Sequence, residues 1–414
     1  MALDKTLQLT PYKYGMRNYW IGLSLLAFCF SWLSQLLIAI VVPKNFFEIF
    51  LIPAFYYLTR RDSSVRPVFK SLLRSQGFIG LFLFITVFFI LGFFVSEFNF
   101  ADTYADFRAN LTFVFFLMLA LSKKWKEQER EQFLVRLLVV VSMMDLVALL
   151  LRPYFAFQVE ATVKQTISIV APAILALYYI RKRKFLASFL FAAIMSYEAI
   201  VAFFRNYYFI SLVVFFMLLV VVLQNLLSAR ARISTKFKSL MLVTVMVVIT
   251  IIAIPIVYNY WMSDGSKMIH SINRTEELLN NESKENERIN SLTVVFGHSD
   301  EFLLPHGIGW RAFTRTIEAS FKGEGIISSM DSCIFYIGYH YGIIMLLLVI
   351  FYLFKSIIRS FGEKSSEKRV ITPFFRILFL VLFLASFMTQ SVMLTIPQSA
   401  FVYSILFSIV IKPF

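Results

Sequence analysis

Apolar residues along this chain neither alternate nor keep to one stripe of a helix. They come in near-continuous runs separated by short polar gaps. Wound as a helix, a run of about 20 residues reaches across the ~30 Å of hydrocarbon in a bilayer. The first run starts at about Tyr19, and the others centre on 44–59, 76–96, 109–122, 133–151, 166–180, 185–204, 208–227, 239–259, 331–354, 371–389 and 392–411. The pattern predicts an all-α polytopic membrane protein with about twelve transmembrane helices. The second run is short, carries Glu48 and shares the kink at Pro43 with the first. One gap, 260–330, is long enough to fold outside the membrane. The chain therefore divides into spans one to nine (1–259), a loop with helical segments (260–330) and spans ten to twelve (331–414). In the loop, Leu278, Leu279, Ile289, Leu292 and Val295 recur at roughly helical spacing, which predicts a surface or interfacial helix over 271–296. The stretch after it is broken by Gly and Pro and reads as an ordered loop.

Composition excludes an ordinary soluble fold: 59 % of the 414 residues are hydrophobic, only 16 % are charged, and mean hydropathy is +0.74. The net charge of +15 would point a soluble chain toward nucleic acid, yet no such motif occurs and the charges fill the gaps between apolar runs. Read as topology signals, they are one-sided. The amino terminus, alternate gaps from Arg60 to Arg74 through to Lys355 to Arg376, and Lys412 hold 28 of the 40 basic residues. Cytoplasmic loops accumulate such residues, so both termini are predicted to be cytoplasmic. The loop 260–330 then lies on the opposite side, with ten acids against seven bases. Cys29 and Cys333 make neither a disulfide framework nor a zinc spacing. His298, Asp300 and His306 fall within nine residues but include no tight i, i+4 pair, so no metal and no cofactor is expected.

Basic residues on the outer side run against the bias that sets the orientation, and these are the candidates for chemistry. Arg205 lies in the short connection between spans seven and eight, where it clamps an anion, pairs structurally with Glu198 or snorkels to the interface. Arg288 lies late on the expected loop helix, among Glu282, Glu285 and Glu287. The segment PHGIGWRAFTR brings His306, Arg311 and Arg315 beside Gly307 and Gly309, and glycine lets a backbone approach a ligand closely. By itself this segment reads as a turn. Asp331 opens span ten, where an acid serves either as a base or as a helix cap. Asp145, inside span five, either acts in function or bonds a neighbouring helix.

The order of these features resembles the bacterial O-antigen polymerases and O-antigen ligases, the Wzy and WaaL types of membrane glycosyltransferase. The resemblance covers the topology of the whole chain. At motif level it rests on Arg205 and on the sequence Arg288, Pro305, Gly307, Gly309, Asp331, Gly342. The ligase-like histidine eleven residues before Gly342 is replaced by Asp331, and the leucine four residues after Arg205 is replaced by Phe209, so the polymerase branch is favoured. The resemblance implies an enzyme of the bacterial inner membrane with its active site facing the periplasm. Such an enzyme joins polyprenyl-diphosphate-linked oligosaccharide repeat units, with a chain-length regulator protein as a further partner. Arg205 and Arg288 would serve the diphosphate. Asp331 would activate the attacking hydroxyl, with His306 as its competitor, and His306, Gly307, Gly309, Arg311 and Arg315 would contact substrate. Two alternatives stand beside it: a ligase that moves finished glycan to a lipid or protein, and a secondary transporter of anionic substrates.

Overall fold

A computed structural model of the protein describes residues 12–41, 47–60, 63–95, 100–151, 169–202, 299–309, 332–362 and 396–412, with isolated positions at 211–223 and 380–394. Among the described residues every regular element is helical and none is a strand. Among the described residues three helices are long and apolar enough to cross a membrane, over Gln76–Val95, Thr103–Leu121 and Glu127–Leu151. Four shorter apolar helices accompany them, and the expected run at 239–259 lies outside the described residues.

The first expected span is two helices, α1 (Tyr12–Phe30) and α2 (Trp32–Val41), interrupted at Ser31. The run at 44–59 forms a 3-10 turn over Phe47–Phe50 and the eight-residue α3 (Leu51–Leu58), at 1.5 Å per residue too short to cross a bilayer. α3 packs back against α1. Within the basic gap that follows, α4 (Val65–Leu73) buries Val65, Val68 and Leu72 and keeps Arg66 and Lys70 off that face. α5 (Gln76–Val95) matches its predicted run.

α6 (Phe100–Leu121) begins nine residues before the predicted span, so Asp106, Arg108 and Asn110, expected in or beside a solvated gap, lie on a helix and are buried. α7 (Glu127–Leu151) likewise starts early. It carries Arg130, which reads in the sequence as a loop cation and is 2 % exposed. Its Nε donates to the Ala120 carbonyl at 2.6 Å and its Nη2 to the Ser408 carbonyl at 3.2 Å. The Ser408 carbonyl also takes the Lys412 amide, and both carbonyls lie in the last turn of a helix, so one guanidinium holds two helix ends together.

α8 (Val170–Arg181) and α9 (Phe185–Ala202) pack as an antiparallel pair. After a short helix, α10 (Ser299–Leu303), the span expected at 331–354 is again two pieces, α11 (Cys333–Tyr341) and α12 (Ile343–Gly362). The break falls at Gly342, whose φ of +85° only glycine adopts readily. α13 (Pro397–Ile411) lies along α6, with Phe401 stacked on Phe30 at 4.8 Å and edge-on to Phe116 at 4.7 Å. This aromatic centre joins α1, α6 and α13, and α11 meets the start of α6 at one end of it.

Candidate functional site

Polar side chains collect where α5 ends, α6 begins and α11 terminates. Asn110 stands at the centre, 5 % exposed. Its Nδ2 donates to the Tyr336 hydroxyl at 2.9 Å and to the Leu394 carbonyl at 3.0 Å, while its Oδ1 accepts from the Tyr341 hydroxyl at 3.0 Å. One amide thereby ties α6, α11 and the segment preceding α13. An amide in apolar surroundings needs its full set of partners, so this network fixes the register of the three elements. Arg108, two residues nearer the start of α6 and buried, holds its guanidinium carbon 5.3 Å from the centre of the Tyr104 ring.

The PHGIG segment closes the same end. The amides of His306 and Gly307 donate to the carbonyls of Tyr339 at 3.2 Å and His340 at 3.0 Å, capping the last turn of α11. The Ile308 amide donates to the Phe88 carbonyl of α5 at 2.9 Å. This clip requires glycine on both sides. A Cβ on Gly92 would overlap the Ile308 carbonyl, and one on Gly307, at φ +83°, would overlap the Gly92 backbone. Gly92→Ala is therefore expected to cost about 1–3 kcal/mol through overpacking, read as a lower unfolding temperature in detergent. Gly80→Ala on the same helix meets no atom within 4 Å and is expected to leave that temperature unchanged.

Two imidazoles are set into the clip. His306 is half-buried and lies flat on Tyr339, ring centres 4.1 Å apart and planes within 5°. Its Nδ1 is 3.1 Å from the Tyr339 carbonyl, and the His340 Nδ1 is 2.6 Å from the Gly307 carbonyl. A carbonyl only accepts, so each Nδ1 donates, which in a neutral ring makes Nε2 the acceptor. His340 is fully buried.

The structure thus brings His306, Gly307 and Gly309 to one end of the bundle together with His340. Arg205, Arg288, Arg311, Arg315 and Asp331 lie outside the described residues, as do His298 and the loop helix expected over 271–296. Capping at α11 is performed by Ser332, whose Oγ accepts from the Phe335 amide at 3.1 Å. The sequence offered Asp331 for that role. Among the described residues no group of three or more His, Cys, Asp or Glu is arranged to hold a metal.

Beside Asn110 and Tyr341 opens an apolar cavity of about 170 Å³, lined chiefly by Phe84, Ile85, Phe113, Ile337, Met345 and Phe387. The register of α6 on α13 runs from Asn110 opposite Leu394 to Phe116 opposite Phe401. Gln398 falls between these contacts, 2 % exposed, with neither amide atom bonded among the described residues. The sequence signal for Asn110 and Gln398 is slight: a lone amide within an apolar run. No family model, no curated protein and no solved structure matches this chain.

Proposed function

We propose that the protein is an integral membrane glycosyltransferase that polymerises polyprenyl-diphosphate-linked oligosaccharide repeat units at the outer face of a bacterial inner membrane. Twelve spans with both termini cytoplasmic are the frame of this reading. In it the end of α5, the start of α6 and the PHGIG segment face the periplasm. The observation that carries it is the meeting of an apolar cavity with a polar cluster at that end of the bundle. A lipid-linked sugar presents the matching pair of surfaces: a hydrocarbon tail, and a polar head that must lie at the interface. A dry cavity of about 150 Å³ holds benzene, so this one suits about one isoprene unit of such a tail. Asn110 and Gln398 would border the passage between tail and head.

In the reaction, the non-reducing hydroxyl of one unit attacks the anomeric carbon of the growing chain and the lipid diphosphate departs. Planar guanidinium forks suit phosphate oxygens, so Arg205 and Arg288 stabilise the departing diphosphate. The hydroxyl needs alignment and an acceptor for its proton. His306 supports that role through its acceptor Nε2 and its half-buried place on the clip, with Asp331 as its competitor.

A strain lacking the gene tests the assignment through the banding of its surface polysaccharide. Loss of the ladder with retention of a single repeat is the expected result. Unattached long polymer would make the protein a ligase, and an unchanged ladder would leave the transporter reading.

A further inference from the structure

The half of the bundle built from α1, α2, α7, α8 and α9 encloses two acids remote in sequence from the clip. Asp145 lies late on α7 and is 4 % exposed. Its Oδ1 accepts the Trp32 amide at 2.6 Å. Trp32 opens α2 directly after the interruption at Ser31, so the carboxylate satisfies a donor that the break strips of its intrahelical acceptor. Ser31 and Ser34 meet the other side of the break, their hydroxyls donating to the Phe28 carbonyl at 3.0 Å and the Ser31 carbonyl at 2.8 Å.

Glu198 on α9 is fully buried, and neither of its oxygens has a hydrogen-bond partner among the described residues. α9 packs against α7, the helix that carries Asp145, and the Asp145 charge acts on the Glu198 carboxyl. One turn before Asp145, on the same face of α7, the buried Ser142 hydroxyl also has no partner among the described residues. The remaining titratable side chains described on the helices packed here are distant in sequence or already engaged. Tyr178, Tyr179 and Arg181 end α8, and Tyr197 precedes Glu198 on a more exposed face. Arg17, Tyr19 and Cys29 belong to α1, and Arg136 of α7 lies over Tyr19 and Trp20 at 5.7 and 5.5 Å. Glu131 pairs with Lys182 at 2.8 Å, and Glu127, Glu129 and Arg130 open α7. Among the described residues no ion pair involves Asp145 or Glu198.

Carboxyls withdrawn from water need compensating positive charge, and among the described residues no basic side chain is paired with either of these two. Acids at such places in membrane proteins mark ion and proton sites, and interrupted helices commonly supply the backbone groups that line them. We propose that Asp145, Glu198 and the Ser142 hydroxyl form a site for a small monovalent cation, a proton or a sodium ion, at the interruption between α1 and α2. Occupancy sets the charge beside the interruption of this helix pair. The site is separate from the sugar-transfer chemistry and stands without it.

Dicyclohexylcarbodiimide tests this on the purified full chain, because it adds to protonated carboxyls in apolar surroundings and leaves a stable N-acylurea readable by peptide mass. In sodium-free choline buffer near pH 6, Glu198 or Asp145 is expected to be modified, and Glu198→Gln is expected to lose the adduct at position 198. Protection by added sodium, with none from added choline, identifies a sodium site. Labelling indifferent to sodium that falls about tenfold per pH unit on the alkaline side identifies a proton site. Absence of an adduct at both acids in the wild type, or labelling that changes with neither sodium nor pH, overturns the proposal.

Discussion

Arg205→Ala and Arg288→Ala are each expected to abolish long-chain product while the protein accumulates to normal levels in the membrane. Removing one preorganised donor from developing negative charge typically lowers the rate by about 10²–10³-fold. A departing diphosphate presents just such a charge, and it forms at the interface, where water competes less than in bulk. Lysine keeps the charge but loses the planar fork, so Arg205→Lys and Arg288→Lys are expected to recover only part of the rate. An arginine that merely anchors a helix at the interface accepts lysine freely. The measurement is chain-length distribution on a gel at matched expression. Near-normal ladders for both alanine variants would make these residues structural.

The second large effect is expected at His306. The Tyr339 carbonyl holds the proton on Nδ1, and the ring lies flat on Tyr339, so Nε2 is fixed both in tautomer and in direction. A positioned general base contributes typically about 10²–10⁴-fold. His306→Gln should therefore slow elongation by at least about 10²-fold, measured as initial rate with lipid-linked repeats, while the clip itself persists through the backbone bonds of residues 306–308. Asp331→Asn is the matched comparison. Because Ser332 caps α11, asparagine at 331 costs the fold no cap, and any loss reads as chemistry. A normal rate for His306→Gln with a slow Asp331→Asn would assign the proton to the carboxylate.

What could be read in the sequence divides along physical lines. The helix at 76–95 was legible because a helix facing hydrocarbon on most sides is apolar all round, and only a few of its residues are buried in the bundle. The start of α6 was not legible. Thr103, Asp106, Arg108 and Asn110 depress local hydropathy, yet they turn inward to partners that only the folded bundle supplies. The interruptions at Ser31 and Gly342 escaped for a related reason, since a run of apolar residues carries no mark of where the backbone ladder breaks.

The site shows the same contrast. Gly307 and Gly309 beside His306 read in sequence as a turn or as room for a ligand, and in the structure Gly307 closes on the backbone of Gly92. Asn110, Tyr336 and Tyr341 draw their meaning from contacts across more than two hundred residues, which no local spacing encodes. Glu198 entered the sequence reading only as a structural partner for Arg205. The bond from Asp145 to the break at Ser31, and the packing of α9 on α7, became visible only in three dimensions.

Elongation by the purified protein tests the central claim most directly. Detergent-solubilised protein, supplied with polyprenyl-diphosphate-linked repeat units as the only sugar source and with EDTA present, is expected to produce a ladder of lipid-linked oligomers, because arginines rather than a metal serve the leaving group. Return of the input as single repeats under these conditions, by protein that remains folded and monodisperse, would contradict the account.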